Sequence, residues 1–359
     1  MANQFLLYGA NGYTGQLIAR HANEYHLQPV LAGRNKEAIQ KLSSELHFPY
    51  LIIDLDNREA LEQSLGNFDV VLNAAGPFDQ TAHPMADACI RTKTHYLDIN
   101  GDISVFESLK LLNGLALAAG IMIMPGAGFD VVPTDCLALF LKHQMPDATD
   151  LKMAFATAGG GLSRGTATTM INNLGEGGKR RIDGKIVKVP LGEHGLWITF
   201  GNVPTYGKVK RFVISIPWGD VSTAYFTTGI ENIEIYTGMS VNAYRLLKLQ
   251  RAFNWLLRTQ FIRNLLKKKV NNRAPGPTDE KRSRGKSFIW GEVSNASGEK
   301  LKESMVTTDG YSLTAHSTLI IVQKILAGDF KPGYQTPASA YSSELIFEVP
   351  GTRWLNTQE

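Results

Sequence analysis

A chain of 359 residues, 43% hydrophobic and 19% charged, is long enough for two domains with separate cores. A net charge of +4 is too small to point to nucleic acid. The two cysteines, Cys89 and Cys136, sit among apolar neighbours. They are too few for a cysteine-based zinc site, so they read as reduced thiols of a cytoplasmic protein that holds no metal.

The chain enters a strand at once (4–8), which reads as the absence of a signal peptide. It then runs into Gly9-Ala10-Asn11-Gly12-Tyr13-Thr14-Gly15 and a helical pattern over 13–24. Strand, glycine-rich turn and helix in that order open a dinucleotide-binding fold. Gly9 permits the sharp turn. Gly12, without a Cβ, lets a pyrophosphate reach backbone N–H groups. Gly15 lets the helix sit close on the strand. The helix N-terminus adds unpaired N–H groups and partial positive charge.

Short apolar strands at 28–33, 50–53, 69–74, 95–99 and 121–124 alternate with helical patterns at 36–46, 57–65, 81–92 and 103–117. That alternation predicts a doubly wound parallel sheet, a Rossmann domain over 1–130, with ligands at the carboxyl ends of the strands. Leu111 to Phe129 carries no formal charge, but Gly114, Gly120, Pro125, Gly126 and Gly128 punctuate it. It reads as a helix end, a buried strand and a glycine-rich loop rather than a membrane span.

The strand ends supply the cofactor candidates. The second strand ends at Arg34, where an NAD-preferring site places an acidic residue. A guanidinium can instead grip a 2′-phosphate through two parallel hydrogen bonds. A contact of about 1.5–3 kcal/mol gives roughly 10- to 100-fold preference for NADP(H). Asp54, after the third strand, either contacts adenine or caps the helix beginning near Asn57. Asn73-Ala74-Ala75-Gly76-Pro77, after the fourth, offers small residues against which a sugar and a nicotinamide can lie. Asn73, Ala75, Gly76 and Pro77 therefore join Gly9, Asn11, Gly12, Tyr13, Thr14 and Gly15 in the candidate cofactor set.

After about Pro133 the pattern changes. A helix is expected at 134–143, strands at 151–157, 185–189, 196–200, 209–216, 222–228 and 231–237, and a helical stretch near 164–175. These predict a second α+β domain with a mixed sheet over 131–308. A long helical pattern covers 241–269, a polar loop 271–284, and a hairpin 287–307. A last helix, 310–327, precedes a C-terminal tail at 328–359.

Taken in order, the glycine turn, Leu31-Ala32-Gly33-Arg34, Asn73-Ala74-Ala75-Gly76-Pro77-Phe78, Tyr96-Leu97-Asp98 and Gly128-Phe129-Asp130-Val131-Val132-Pro133-Thr134-Asp135 resemble the saccharopine dehydrogenase-like oxidoreductases, particularly the trans-acting enoyl reductases. Ser163-Arg164-Gly165-Thr166-Ala167-Thr168 and Gly333-Tyr334-Gln335-Thr336-Pro337-Ala338 extend the match. The resemblance implies NADP(H), return of the chain to the first domain through helix 310–327, and reduction of a C=C or C=N bond. It implies a polyketide-type acyl substrate for the enoyl reductase branch. An imine or amino-acid dehydrogenase and a non-catalytic NADP-binding module stay open as alternatives, as does a homodimer.

Hydride addition to an enoyl group leaves an enolate, so the protein must stabilise an oxygen and supply a proton. The candidates are Asp98, Asn100, Asp130, Arg164 and Thr166, with Asp98, Asp130 and Arg164 foremost. His95, near a strand end, reads as a packed residue. Tyr206…Lys210 and Tyr244…Lys248 match the Tyr-x-x-x-Lys spacing of a rival nicotinamide family, but neither lies where that mechanism needs it.

Between Glu234 and Asp279 there is no acidic residue and there are nine lysines and arginines. Leu246, Leu249, Phe253, Leu256, Phe261 and Leu265 recur there at helical spacing, with Trp255 among them. Three readings stay open for 241–269: an apolar stripe packed on its own domain, a peripheral contact with the inner face of a membrane, or a contact with an acidic acyl-carrier partner.

Overall fold

The computed structural model describes residues 4–203, 206–250 and 254–355. Short apolar runs set the opening rhythm. Strands β1 (Gln4–Tyr8), β2 (Gln28–Gly33), β3 (Tyr50–Ile52), β4 (Val70–Asn73), β5 (His95–Asp98) and β6 (Met122–Met124) alternate with helices α1 (Tyr13–His21), α2 (Lys36–Leu46), α3 (Arg58–Leu65), α4 (Phe78–Thr92), α5 (Ile103–Lys110) and α6 (Asn113–Ala119). Phe5, Leu6, Leu7, Val71, Leu72, Leu97 and Ile123 are fully buried, as strands covered on both faces must be. Side-chain caps start the helices: Asn35, Asn57 and Asp102 accept from the N–H groups of Ala38, Ala60 and Ser104, each contact contributing about 1 kcal/mol.

The chain continues through α7 (Val132–Gln144), β7 (Asp150–Ala158), α8 (Arg164–Asn172), β8 (Gly178–Ile182), β9 (Lys185–Val189), β10 (Gly195–Val203), β11 (Gly207–Ile216), α9 (Asp220–Thr228) and β12 (Asn232–Gly238). Then come α10 (Val241–Gln250), α11 (Asn254–Leu257), α12 (Gln260–Asn271), α13 (Asp279–Arg284), β13 (Lys286–Ser294) and β14 (Lys300–Thr308). The last elements are α14 (Gly310–Leu326), β15 (Gly333–Tyr334), α15 (Pro337–Tyr341) and β16 (Arg353–Trp354).

Two compact units result. One joins the residues up to Val132 with Gly310–Pro350; the other joins Pro133–Asp309 with the residues from Gly351 on. The sheet of the first unit runs β15-β6-β5-β4-β1-β2-β3, with every pair parallel. From β3 to β6 this is the doubly wound Rossmann order, which reverses between β1 and β4. Helix α14 completes the unit. It packs against α1 and β4 and buries Leu313, Leu319, Ile321 and Val322. The chain after it contributes β15 to the edge of this sheet, whereas β16 pairs with β14 in the other unit.

The second unit is built on a mixed sheet, β10-β11-β12-β7-β13-β14-β16, with the β8–β9 hairpin attached through β12. Only β12 and β7 run parallel along that path. Ala154, Ala156, Phe288 and Trp290 on one face pack with Ile198, Phe200, Val209 and Val213 of the β10–β11 hairpin. On the opposite face Gly291 leaves room for Leu137 and Leu141 of α7.

Several elements differ from the sequence expectation. Residues 222–228, expected as a strand from their β-branched and aromatic content, lie in helix α9. Gly229 ends it in the left-handed conformation (φ 69), and Val221, Thr223 and Ala224 are buried where it packs on β12 and β8. Burial on more than one side leaves no alternation to read, so tertiary packing overrides local propensity. The pattern at 103–117 is two helices, α5 and α6. The stretch 241–269 holds three helices instead of one. The polar loop 271–284 ends in a short helix, α13, capped by the Thr278 side chain.

Candidate functional site

Because the first sheet is parallel, the ends of β1, β2, β4, β5 and β6 meet along one edge, at the strand-order reversal where such sheets bind ligands. The turn after β1 is built tightly. Gly9 has φ 81, and a Cβ on it would lie 2.6 Å from Ala75 N, so the β1 and β4 loops touch backbone to backbone. Ala74 N donates to Tyr8 O (2.8 Å), and Ala75 N donates to Asn73 Oδ1 (3.0 Å). A Cβ on Gly15 would collide with Gly9 O and lie 2.8 Å from Ala10 Cα. Gly12, exposed, is the N-cap of α1 and makes no side-chain capping bond. No side chain therefore competes with an anion for the cap.

The remaining cofactor candidates lie in this turn or just after β2, β3 and β4. Gln16 Nε2 donates to Asn11 O (3.0 Å), and Asn11 and Thr14 are half-buried. Tyr13 meets Tyr311 of α14 edge-on, with ring centroids 5.0 Å apart. A Cβ on Gly33 would lie 3.1 Å from Asn11 Oδ1, so the exposed Arg34 follows directly from the turn's neighbour. Asp54 is exposed and accepts from Asp56 N (3.1 Å). It does not cap the following helix, because Asn57 does. Gly76 and Pro77 are exposed, joined by a cis peptide bond.

Asp98 is the buried anchor of this edge. Its Oδ1 accepts from Asn100 N (3.0 Å), Asn100 Nδ2 (2.7 Å) and Gly126 N (2.8 Å), and its Oδ2 accepts from Tyr96 Oη (2.8 Å). Burial raises its pKa, and these four hydrogen bonds pull it back. Asn73 Nδ2 donates to Tyr96 Oη (3.4 Å) and to Thr81 Oγ1 (3.2 Å), which ties the β4 loop to the same network. Asp98 thereby holds the loops after β5 and β6 in register.

Asp130 sits on the loop after β6. A Cβ on Gly101 would lie 2.5 Å from Asp130 Oδ2, so the absence of a side chain at 101 makes room for that carboxyl. Burial pushes the Asp130 carboxyl up to about 7. The loop is held from behind by α14: Ser317 Oγ donates to Ala127 O (2.8 Å), and Phe129 N donates to Thr314 Oγ1 (3.0 Å). These hydroxyls of α14, with Tyr311 and Thr81, were not singled out from the sequence. A run of Ser and Thr inside an otherwise apolar helix was the available signal.

Arg164 belongs to the second unit, at the first turn of α8 behind the Ser163 cap. It is exposed, and its Nε donates to Arg273 O (2.6 Å). His95 is buried, accepts from Met122 N through Nδ1 (2.9 Å) and lies 4.2 Å from the Phe330 ring. Burial lowers its pKa to about 4, which makes it a neutral packing residue.

Residues 5–124 match the family model described as the saccharopine dehydrogenase NADP binding domain. The first unit carries an NADP-binding domain of saccharopine dehydrogenase type. Among curated proteins, a trans-acting enoyl reductase of Mycobacterium leprae (strain TN) is 34% identical over 138 residues, covering 36% of this chain and 33% of that protein. A saccharopine dehydrogenase-like oxidoreductase of Rattus norvegicus is 28% identical over 205 residues, 50% of this chain and 47% of that protein. The matches thus span half or less of these relatives. Among solved structures, saccharopine dehydrogenase (L-Glu forming) from Saccharomyces cerevisiae shares the fold, with a TM-score of 0.66 and 15% identity over 97% of this chain and 96% of that one. The turn fits the cofactor of the NADP-binding domain: Gly9 and Gly15 let it close backbone to backbone, and the α1 cap, with no side-chain capping bond, is left open to an anion.

Proposed function

We propose that the protein is an NADP(H)-dependent oxidoreductase that reduces a C=C bond next to the carbonyl of an acyl or polyketide-type substrate. The observation that carries this reading is the place of Asp130: its carboxyl fits against Gly101 on the loop after β6, at the edge that also bears the glycine turn, and burial there raises its pKa to about 7. A group that keeps its proton near neutral pH is matched to protonating an enolate. The Mycobacterium leprae relative, a trans-acting enoyl reductase, supports the choice of a C=C bond.

When bound, NADPH supplies the hydride that goes to the β-carbon. The chain's own residues do the rest. The N-terminus of α1 and the Gly9–Gly15 turn would hold the pyrophosphate, and Arg34 the 2′-phosphate. Asp98 acts as a positioning residue, because its acceptors are already engaged by Asn100, Gly126 and Tyr96. Asp130 gives its proton to the α-carbon, so the product is the saturated acyl group.

The test is NADPH oxidation with a trans-2-enoyl thioester, compared with a 2-oxo acid plus an amino acid. The proposal expects turnover of the thioester only, with kcat falling as pH rises through about 7. Asp130→Asn should remove turnover and spare NADPH binding. Turnover of the oxo-acid pair alone would move the reading to imine chemistry. Tight NADPH binding with neither substrate class reduced would favour a binding module.

A further inference from the structure

We propose that α10–α12 form a docking surface for a membrane that carries anionic lipid. Helix α12 is pinned to its own unit by two arginines. Arg263 Nη2 donates to Leu174 O (3.0 Å) and to Glu176 Oε1 (2.7 Å), and Arg258 Nε, just before the helix, donates to Gly175 O (2.9 Å). Ile262, Arg263, Leu266 and Val270 face inward, half-buried or buried. The outward face then falls to Phe261, Asn264, Leu265, Lys268 and Lys269, at the i, i+3, i+4, i+7 and i+8 spacing of one helical side. Phe261 is 76% exposed and Leu265 58%. Trp255 on α11 and Leu246 on α10 are each 69% exposed. The apolar stripe visible in the sequence is therefore turned outward at Leu246, Trp255, Phe261 and Leu265. Arg251 and Phe253 lie outside the described residues.

Charge decides the occupant. The nine cations between Glu234 and Asp279 exceed the net charge of the whole chain, +4, so positive charge is concentrated on this stretch. Of these, Arg245, Lys248, Arg258, Lys268, Lys269 and Arg273 are exposed. Acidic groups alone would pair with the lysines but would leave Trp255, Phe261 and Leu265 in water. An anionic bilayer takes both: headgroups meet the cations while the aromatic and aliphatic groups enter the acyl boundary. No helix among the described residues is long and apolar enough to cross a membrane, so the contact is peripheral. This inference rests on the surface alone and is independent of the hydride chemistry.

The test is flotation of the full chain with phosphatidylcholine vesicles, with and without about 30% phosphatidylglycerol, at about 0.1 M and 0.5 M salt. The expected result is binding to the anionic vesicles only, weakened by salt. Lys268→Gln with Lys269→Gln should weaken it roughly 25-fold, about fivefold per cation. Phe261→Ser with Leu265→Ser should weaken it at least about tenfold. Leu111→Ser, at an 84% exposed site of the other unit, should bind as wild type. Melting curves verify that each variant folds. Absence of binding to anionic vesicles at low salt overturns the proposal. So does binding left intact in both paired variants. Loss of a wild-type dimer in the Phe261/Leu265 variant would assign the face to a second copy, and salt-sensitive capture of an acidic acyl-carrier protein without vesicle binding would assign it to protein.

Discussion

Replacing Gly15 by alanine places a methyl group where Gly9 O and Ala10 Cα already stand, both of them backbone atoms. Backbone cannot swing aside as a side chain tip can, so α1 must lift from β1 and the turn must open. Overpacking of this kind costs about 1–3 kcal/mol. For a unit of this size that corresponds to a melting temperature lower by roughly 6 °C. Gly12→Ala is the informative partner. Its φ is −71, and its Cβ would meet only Gly9 O, at 3.2 Å. The poorer cap costs about 0.5–1 kcal/mol, and the stiffer unfolded chain offsets it by a similar amount. Gly12→Ala should therefore melt within about 1 °C of wild type yet bind NADPH at least tenfold more weakly, since its methyl group would stand where the pyrophosphate approaches. The two readouts are a thermal melt and a fluorescence titration with NADPH. A stable Gly15→Ala would refute the packing argument. A Gly12→Ala protein with wild-type NADPH affinity would refute placement of the phosphates at this helix end.

Two further outcomes follow from the same unit. Arg34→Ala should lose about 10- to 100-fold in affinity for NADPH while leaving NADH unchanged, read by calorimetry with both nucleotides; an equal loss for both would show that Arg34 does not read the 2′-phosphate. His95 holds a folded-state pKa of about 4, below its usual 6.5, so its neutral form is the folded one. Its contribution is complete above pH 6.5 and is lost as pH falls toward 4, about 2 kcal/mol of it by pH 5. His95→Gln keeps an acceptor for Met122 N and does not titrate, so urea unfolding at pH 8 and pH 5 should show a smaller acid loss than wild type; identical losses would place the acid sensitivity elsewhere.

Much of the first unit could be read from residues alone because its signals are local. Six short apolar runs separated by helical patterns imply a parallel sheet. Gly12 and Gly15 each have a steric reason that holds within a dozen residues of chain, whereas Gly9 adds to its left-handed turn a close approach from the distant β4 loop. The basic character of 235–278 is likewise a matter of counting. The different surroundings of Asp98 and Asp130 were not legible in this way. Asp98 ends β5 and Asp130 lies on the loop after β6. Only the fold surrounds one with four donors and sets the other against Gly101.

Sequence by itself determined the dinucleotide-binding turn, the strand–helix alternation and the acid-free stretch before Asp279, since each depends on residues adjacent along the chain. Tertiary structure alone decided that 220–228 is a helix, that α14 braces the loop bearing Asp130, and that Phe261 and Leu265 face outward. Those outcomes depend on which distant segments cover a given face, and a periodic pattern marks an apolar face without saying what, if anything, covers it.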